Sequence, residues 1–201
     1  MAERVLLVGN PERPSRVIAD PTAIDNPALA ELLAYWRERR LGVAVPQYIR
    51  FMPRDLTKHL ASIVVCDALP DWSDFRYRLV GSRVTRYLLS DATGKTIQDE
   101  FSGELGAFLV ALNRQACLQG IPVRLTGPAA IIDDVWFPDY DTLYLPWASR
   151  AVVDKVVSIF AFDPSSLAAR EVDVAALPPA YQALKVASAS DLIRAPSAKR
   201  E

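Results

Sequence analysis

Few side chains in this chain are equipped for chemistry. His59 is the sole histidine among 201 residues, and Cys66 and Cys117 are the only cysteines. A Ser–His–Asp or Cys–His enzyme would have to use His59 as its base, and one histidine cannot build a multi-histidine metal centre. His59 follows Lys58 in a short polar turn, far along the chain from both cysteines, so a structural role is expected for it. The acidic run Asp133, Asp134, Asp139 and Asp141 offers carboxylates to a cation. Its spacing is not that of an EF-hand loop, and Trp136, Phe137 and Tyr140 interrupt it. We read it as a solvated loop whose aromatic residues suit a partner contact. No glycine-rich phosphate loop follows a strand. The expectation is a non-enzymatic chain with no metal and no cofactor.

Composition narrows the class further. Hydrophobic residues make up 51% of the chain, enough for a folded core, and the length fits one domain with extensions. The formal net charge of −1 provides no general basic surface for a phosphate backbone, so no nucleic-acid partner is expected. The opening residues carry too short an apolar run for a secretory signal, and no stretch approaches the roughly 20 apolar residues of a membrane span. The reading is therefore cytoplasmic, with no membrane partner. Two cysteines, each in an apolar segment, make no disulfide framework.

The elements that must position these residues follow from periodicity and punctuation. Residues 1–25, with Pro11, Pro14 and Pro21, read as a flexible arm. Asn26-Pro27 reads as a helix cap followed by proline in the first turn, and Leu29, Leu32, Leu33 and Trp36 predict an amphipathic helix to about residue 40. Strands are predicted at 62–69, 75–81, 121–126, 142–149 and 153–162. In the second, Phe75, Tyr77 and Leu79 alternate with Arg76 and Arg78. A short helix from Ser82, an extended linker or further helical turn at 96–101 and a longer helix capped by Ser102 cross between the second and third strands. Residues 163–201 read as a mostly disordered tail. Two strands, a helical crossover and three further strands predict an α+β domain over 26–162.

Four segments, in order, resemble a bacterial, α-proteobacterial family of standalone PAS-like domains. They are Leu33-Ala34-Tyr35-Trp36-Arg37, then Phe51-Met52-Pro53-Arg54-Asp55-Leu56, then Phe75 to Gly81 with Thr93-Gly94-Lys95-Thr96-Ile97, and finally Leu143-Tyr144-Leu145-Pro146. The resemblance implies a five-stranded antiparallel sheet with helices packed on one face and an N-terminal amphipathic helix. One departure stands out: Ala148-Ser149-Arg150-Ala151 replaces the polar glycine hairpin common in such domains. Haem-binding relatives often carry a histidine on the long helix, which here has none. The cysteine surroundings of a flavin-linked light sensor are missing around Cys117.

The resemblance implies a signal-input or interaction module, and one that would act through another molecule because the flanking segments are short. Side chains expected to enclose a cavity, or simply to fill the core, are Leu79, Val84, Tyr87, Leu88, Phe101, Phe108, Leu112 and Leu125. Tyr77, Tyr87 or Arg124 would serve as polar anchors. Two functions follow: a sensor of a small apolar ligand read by a signalling protein, or a ligand-independent dimerisation or interaction adaptor. In the second, Leu29, Leu32, Leu33 and Trp36 form the contact to a second copy or partner.

Overall fold

Helix α1 (Pro27–Arg39) starts where the sequence places its cap. The Asn26 carboxamide oxygen accepts from the backbone N–H groups of Ala28 and Leu29 at 3.0 and 3.4 Å, and Pro27 supplies the first turn. The computed structural model describes residues 5–7, 16–22, 24–88, 90–127, 130–132, 135–137 and 140–162. The strands are β1 (Val5–Leu7), β2 (Arg16–Ala19), β3 (Ile63–Ala68), β4 (Phe75–Val80), β5 (Val123–Gly127), β6 (Ala130–Ile132), β7 (Val135–Phe137), β8 (Tyr140–Ser149) and β9 (Val152–Phe162). Helices α2 (Ser82–Leu88), α3 (Ile97–Glu100) and α4 (Gly103–Gln119) cross from β4 to β5.

The chain divides into two units. The smaller comprises residues 1–17, 125–141 and 162–201 and holds an antiparallel sheet in the order β1-β6-β7, with Val5 opposite Ile132 and Ala130 opposite Phe137. Three of these strands' neighbours, Asp133, Asp134 and Asp139, lie outside the described residues, as does 163–201. The larger unit spans 18–124 and 142–161. Its sheet has six strands rather than five, in the order β2-β5-β8-β9-β3-β4. The sixth is β2, from the segment read in sequence as a flexible arm.

Strand β9 sits inside the sheet, which explains its unbroken apolar run: Val156, Val157 and Ile159 are all buried whichever face they meet. Helix α1 covers one face. Leu29, Leu32, Leu33 and Trp36 pack with Ile63, Val65, Leu143, Leu145, Trp147, Val157 and Ile159 in one apolar cluster. The Trp36 indole donates to the Pro146 carbonyl at 2.7 Å. The Tyr35 hydroxyl accepts from Met52 N and donates to the Arg50 carbonyl, pinning the following loop to the helix.

The β8–β9 hairpin turns without glycine. Arg150 takes φ +60° while Ala151 does not enter the left-handed region, the sign pattern of a II′ turn. The Asp154 carboxylate accepts from Ser149 N, and Gln47 Nε2 donates to the Arg150 carbonyl, so side chains stabilise a turn that glycine commonly makes.

Candidate functional site

The two faces of the larger sheet differ in chemistry. Alternation puts Ile63, Val65, Leu143, Leu145, Trp147, Val157 and Ile159 against α1, an apolar cluster beyond which the same face carries the Asp67–Lys155 ion pair. The same alternation sends Cys66, Tyr77, Thr142, Tyr144 and Ser158 to the opposite face, and every one of them is buried. Ser158 lies beside Val64 and Val156 beside Cys66 in the antiparallel register, which fixes this assignment. Helix α4 lies over that face: it packs on α3, which packs on β4, its Arg114 bonds the Trp72 carbonyl of the β3–β4 turn, and its Cys117 is near enough to Cys66 to raise that thiol. Helix α3 packs on β4, where Asp74 accepts from Phe75 N at 2.7 Å and from Gln98 N at 3.4 Å.

Local sequence holds Tyr77 in place. The Asp91 carboxylate accepts from Thr93 N, forming an Asx turn, and Gly94 then takes φ +87°. Tyr77 N donates to the Lys95 carbonyl at 2.9 Å and Gly94 N donates to the Tyr77 carbonyl at 2.7 Å. Thr96 and Asp99 then form a reciprocal capping box that starts α3. The segment Asp91 to Thr96 thus borders β4 and launches the helices that roof this face.

Burial sets the electrostatics of the layer. It pushes the Tyr77 phenol well above its ordinary value, with Cys66, Tyr144, Glu100 and Asp74 adding to the effect, so the hydroxyl keeps its proton. Burial likewise pushes Cys66 up, and raises Cys117 to about 12 with help from Asp154. Both thiols are free, buried and protonated at neutral pH. The layer is therefore mainly aromatic and apolar, with a few buried hydroxyl and amide groups and one buried carboxylate, Asp74, that accepts from two backbone N–H groups.

Of the side chains expected here, Tyr77, Val84, Phe108 and Leu112 are buried within the larger unit. Phe101, at the C-terminal cap of α3, and Arg124 are half-buried. Leu125 is buried but belongs to the smaller unit, and the side chains of Tyr87 and Leu88 lie outside the described residues. Leu79 does not join them: it is 38% exposed. A β-bulge is the cause, since Cys66 faces Tyr77 while Val65 faces Leu79, leaving Arg78 as the extra residue. Tyr77 therefore shares the face of Cys66, and Leu79 is returned to the other.

Leu29, Leu32, Leu33 and Trp36 are between 0 and 3% exposed inside the protein's own core. A contact to a second copy through them would require α1 to leave the sheet. His59 bonds through Nε2 to the Glu31 carboxylate at 2.6 Å, where Lys58 also donates, so it ties the 3₁₀ segment Pro53–Ser62 to α1. Ser102 begins α4 without a side-chain capping bond. Sequence reasoning placed Cys66 in an apolar segment without assigning it to this layer, and missed Asn113, Thr142, Tyr144 and Ser158 as members of it. Placing Leu143, Leu145 and Trp147 on one face already implies Thr142 and Tyr144 on the other, but the continuous run of β9 hid Ser158.

Among the described residues no helix is long and apolar enough to cross a membrane. A family model for the PAS domain matches residues 24–157. No curated protein matches the chain. Among solved structures it is similar to one described as an RNA-binding light-oxygen-voltage receptor, with 14% identity and a TM-score of 0.41. That similarity covers 75% of this chain but 39% of the receptor chain, so the chain spans about two fifths of the receptor's length.

Proposed function

The chain belongs to the PAS domain family, whose members serve as sensory and signalling domains, and from that premise we propose that it senses a small, mainly apolar molecule held between the sheet and α3–α4. The observation that carries this reading is the asymmetry of the sheet. One face is packed by the apolar stripe of α1, whereas the face under α4 carries Cys66, Tyr77, Thr142, Tyr144 and Ser158 in buried positions. Small-molecule sites combine mostly apolar walls with a few convergent polar groups, and this is such a wall. The role proposed is regulatory rather than catalytic. A ligand would bias the domain only through different affinities for two conformations, and a signalling protein would read the difference. Native mass spectrometry of the purified chain tests the reading: a stoichiometric small molecule that raises the melting temperature on re-addition supports it. A ligand-free protein whose melting temperature no extract fraction shifts defeats it.

A second reading, an interaction adaptor, is favoured by a different observation. Val43, Ile49, Leu118 and Val152 are exposed aliphatic residues. The segment between Val43 and Ile49 is bonded to the β8–β9 turn through Pro46 and Gln47, and Val45 lies near Gly120 at the end of α4. A contact of this kind uses that end of the larger unit and leaves α1 on the sheet. Replacing Ile49 and Val152 with aspartate then abolishes self-association in light scattering while the fold is kept. A wild type that is monomeric at all concentrations defeats it.

A further inference from the structure

Asn113 lies on α4 in the middle of a buried stripe, with Val110 one turn before it and Cys117 one turn after it, and is itself 3% exposed. Its Nδ2 donates to the Leu109 carbonyl at 2.8 Å. That bond fixes the orientation of the amide, since a carbonyl accepts only from the NH₂ side. The Oδ1 atom is thereby turned away from the helix backbone and is buried, and among the described residues no donor reaches it. Native proteins rarely leave a buried acceptor unmatched, because its desolvation is then uncompensated. A leucine here would continue the apolar stripe of the helix, so the asparagine is a poor choice for packing alone.

Resting on the sensor reading above, we infer that Asn113 Oδ1 is the anchor of the ligand site, and that the ligand is a flat apolar molecule carrying an N–H or O–H donor. The helix layer supplies the acceptor. Tyr77, Tyr144, Phe75 and Phe108 supply aromatic surface in the same larger unit, which suits a planar ring. A neutral ligand suits the layer: among the described residues its one buried carboxylate, Asp74, already accepts from Phe75 N and Gln98 N, and no cation is buried there.

Indole and 1-methylindole test this on the full chain, since they share a ring and differ in the single donor. Titrations followed by NMR are run on wild type and on Asn113→Leu, with Asn113→Ala as the smaller replacement should the leucine variant fail to fold. Indole is expected to bind wild type about tenfold more tightly than 1-methylindole, the scale of one buried hydrogen bond. In the variant both still bind and the ratio falls to about one. Removal of the unmatched acceptor also raises the ligand-free melting temperature, by about 2–4 °C. Equal affinities in wild type, or a preference that survives the substitution, overturn the role of Asn113 while the sensor reading stands. Failure of both probes to bind either protein, together with a ligand-free native mass spectrum, overturns both.

Discussion

The Arg114 guanidinium of α4 donates its Nε–H to the backbone carbonyl of Trp72 at 2.9 Å. Trp72 in turn donates its indole N–H to the Val153 carbonyl at 2.8 Å, so a single residue of the β3–β4 turn is gripped by the helix on one side and by β9 on the other. The turn needs the grip. Asp71 and Trp72 both adopt left-handed backbone angles, with φ +57° and +50°. Such a conformation costs a non-glycine residue roughly 1–2 kcal/mol. Arg114 is the residue after Asn113, so the helix that carries the proposed anchor also holds this strained turn.

Arg114→Ala removes the bond to Trp72 and a longer one to Ser73, leaving the two carbonyls to water. The expected loss is about 1–2 kcal/mol, below the upper range for charge-assisted bonds because the group is only half-buried. In urea the midpoint falls with an unchanged slope. Hydrogen exchange should quicken at residues 72–75 before it does in β3. Uniform quickening across the sheet would show that the turn is not a separate locking point.

Gly81 closes β4 under a different constraint. Its N–H donates to the Ile63 carbonyl at 2.8 Å, and a side chain there would collide with the carbonyl oxygens of Leu60 and Ala61. Those are backbone atoms and cannot rotate aside. Gly81→Ala is expected to cost about 2–3 kcal/mol by overpacking. Gly42 is the control: it has φ +87° and open space around it, so alanine there meets only dihedral strain of about 1 kcal/mol. Thermal melts of the two variants check the order, and a larger loss at Gly42 would contradict it.

The same two glycines show what the sequence could and could not disclose. Phe75 to Gly81 was legible as a strand because its alternation is local, and Asn26-Pro27 as a helix start because capping is local too. The bulge at Arg78 was not, since it depends on how β3 aligns with β4 and leaves no mark on the alternation of β4 itself. The short strands β1, β2, β6 and β7 were missed for the same reason: three or four residues carry no periodicity, and their partners lie far along the chain. The apolar stripe of α1 was read correctly, but the sequence could not say whether it meets another copy or the protein's own sheet. Asn113 was passed over because it breaks the pattern of the stripe. Its meaning comes from burial, which only the fold reveals.

Burial makes a prediction for the thiols. Cys66 and Cys117 are both raised, Cys117 to about 12, so the reactive thiolate is scarce at pH 8. In the native protein neither should react with a colorimetric disulfide reagent over minutes. In 6 M guanidinium both should react at once, giving about two thiols per chain, the number in the sequence. Labelling in native buffer should then track unfolding. A fast native phase of one equivalent would mean that the layer beneath α4 opens without global unfolding.

The contact of Glu100 with Lys95 and Ser90 predicts how stability falls in acid. Burial works to raise the Glu100 carboxyl, but the Lys95 ammonium at 2.8 Å and the Ser90 hydroxyl outweigh it, and the group titrates below its ordinary value of 4.5. A carboxyl held lower in the folded chain binds protons more weakly there than when unfolded. Its stabilising contribution is complete above the ordinary value and is lost as pH falls through the lower folded one. Lys95 is shifted upward by the same partner, so the pair also weakens as pH rises past the ordinary lysine value of 10.5. Glu100→Gln should therefore lower stability at pH 7 by about 0.5–1 kcal/mol, the scale of a partly exposed ion pair. Glu31, Asp91 and Asp99 are also lowered, but they titrate in both proteins and largely cancel in the comparison. Denaturant unfolding from pH 7 down to pH 3 checks the sign: the gap between wild type and variant should narrow below about pH 4.5. A gap that widens with acid would mean that burial, not the ion pair, governs Glu100.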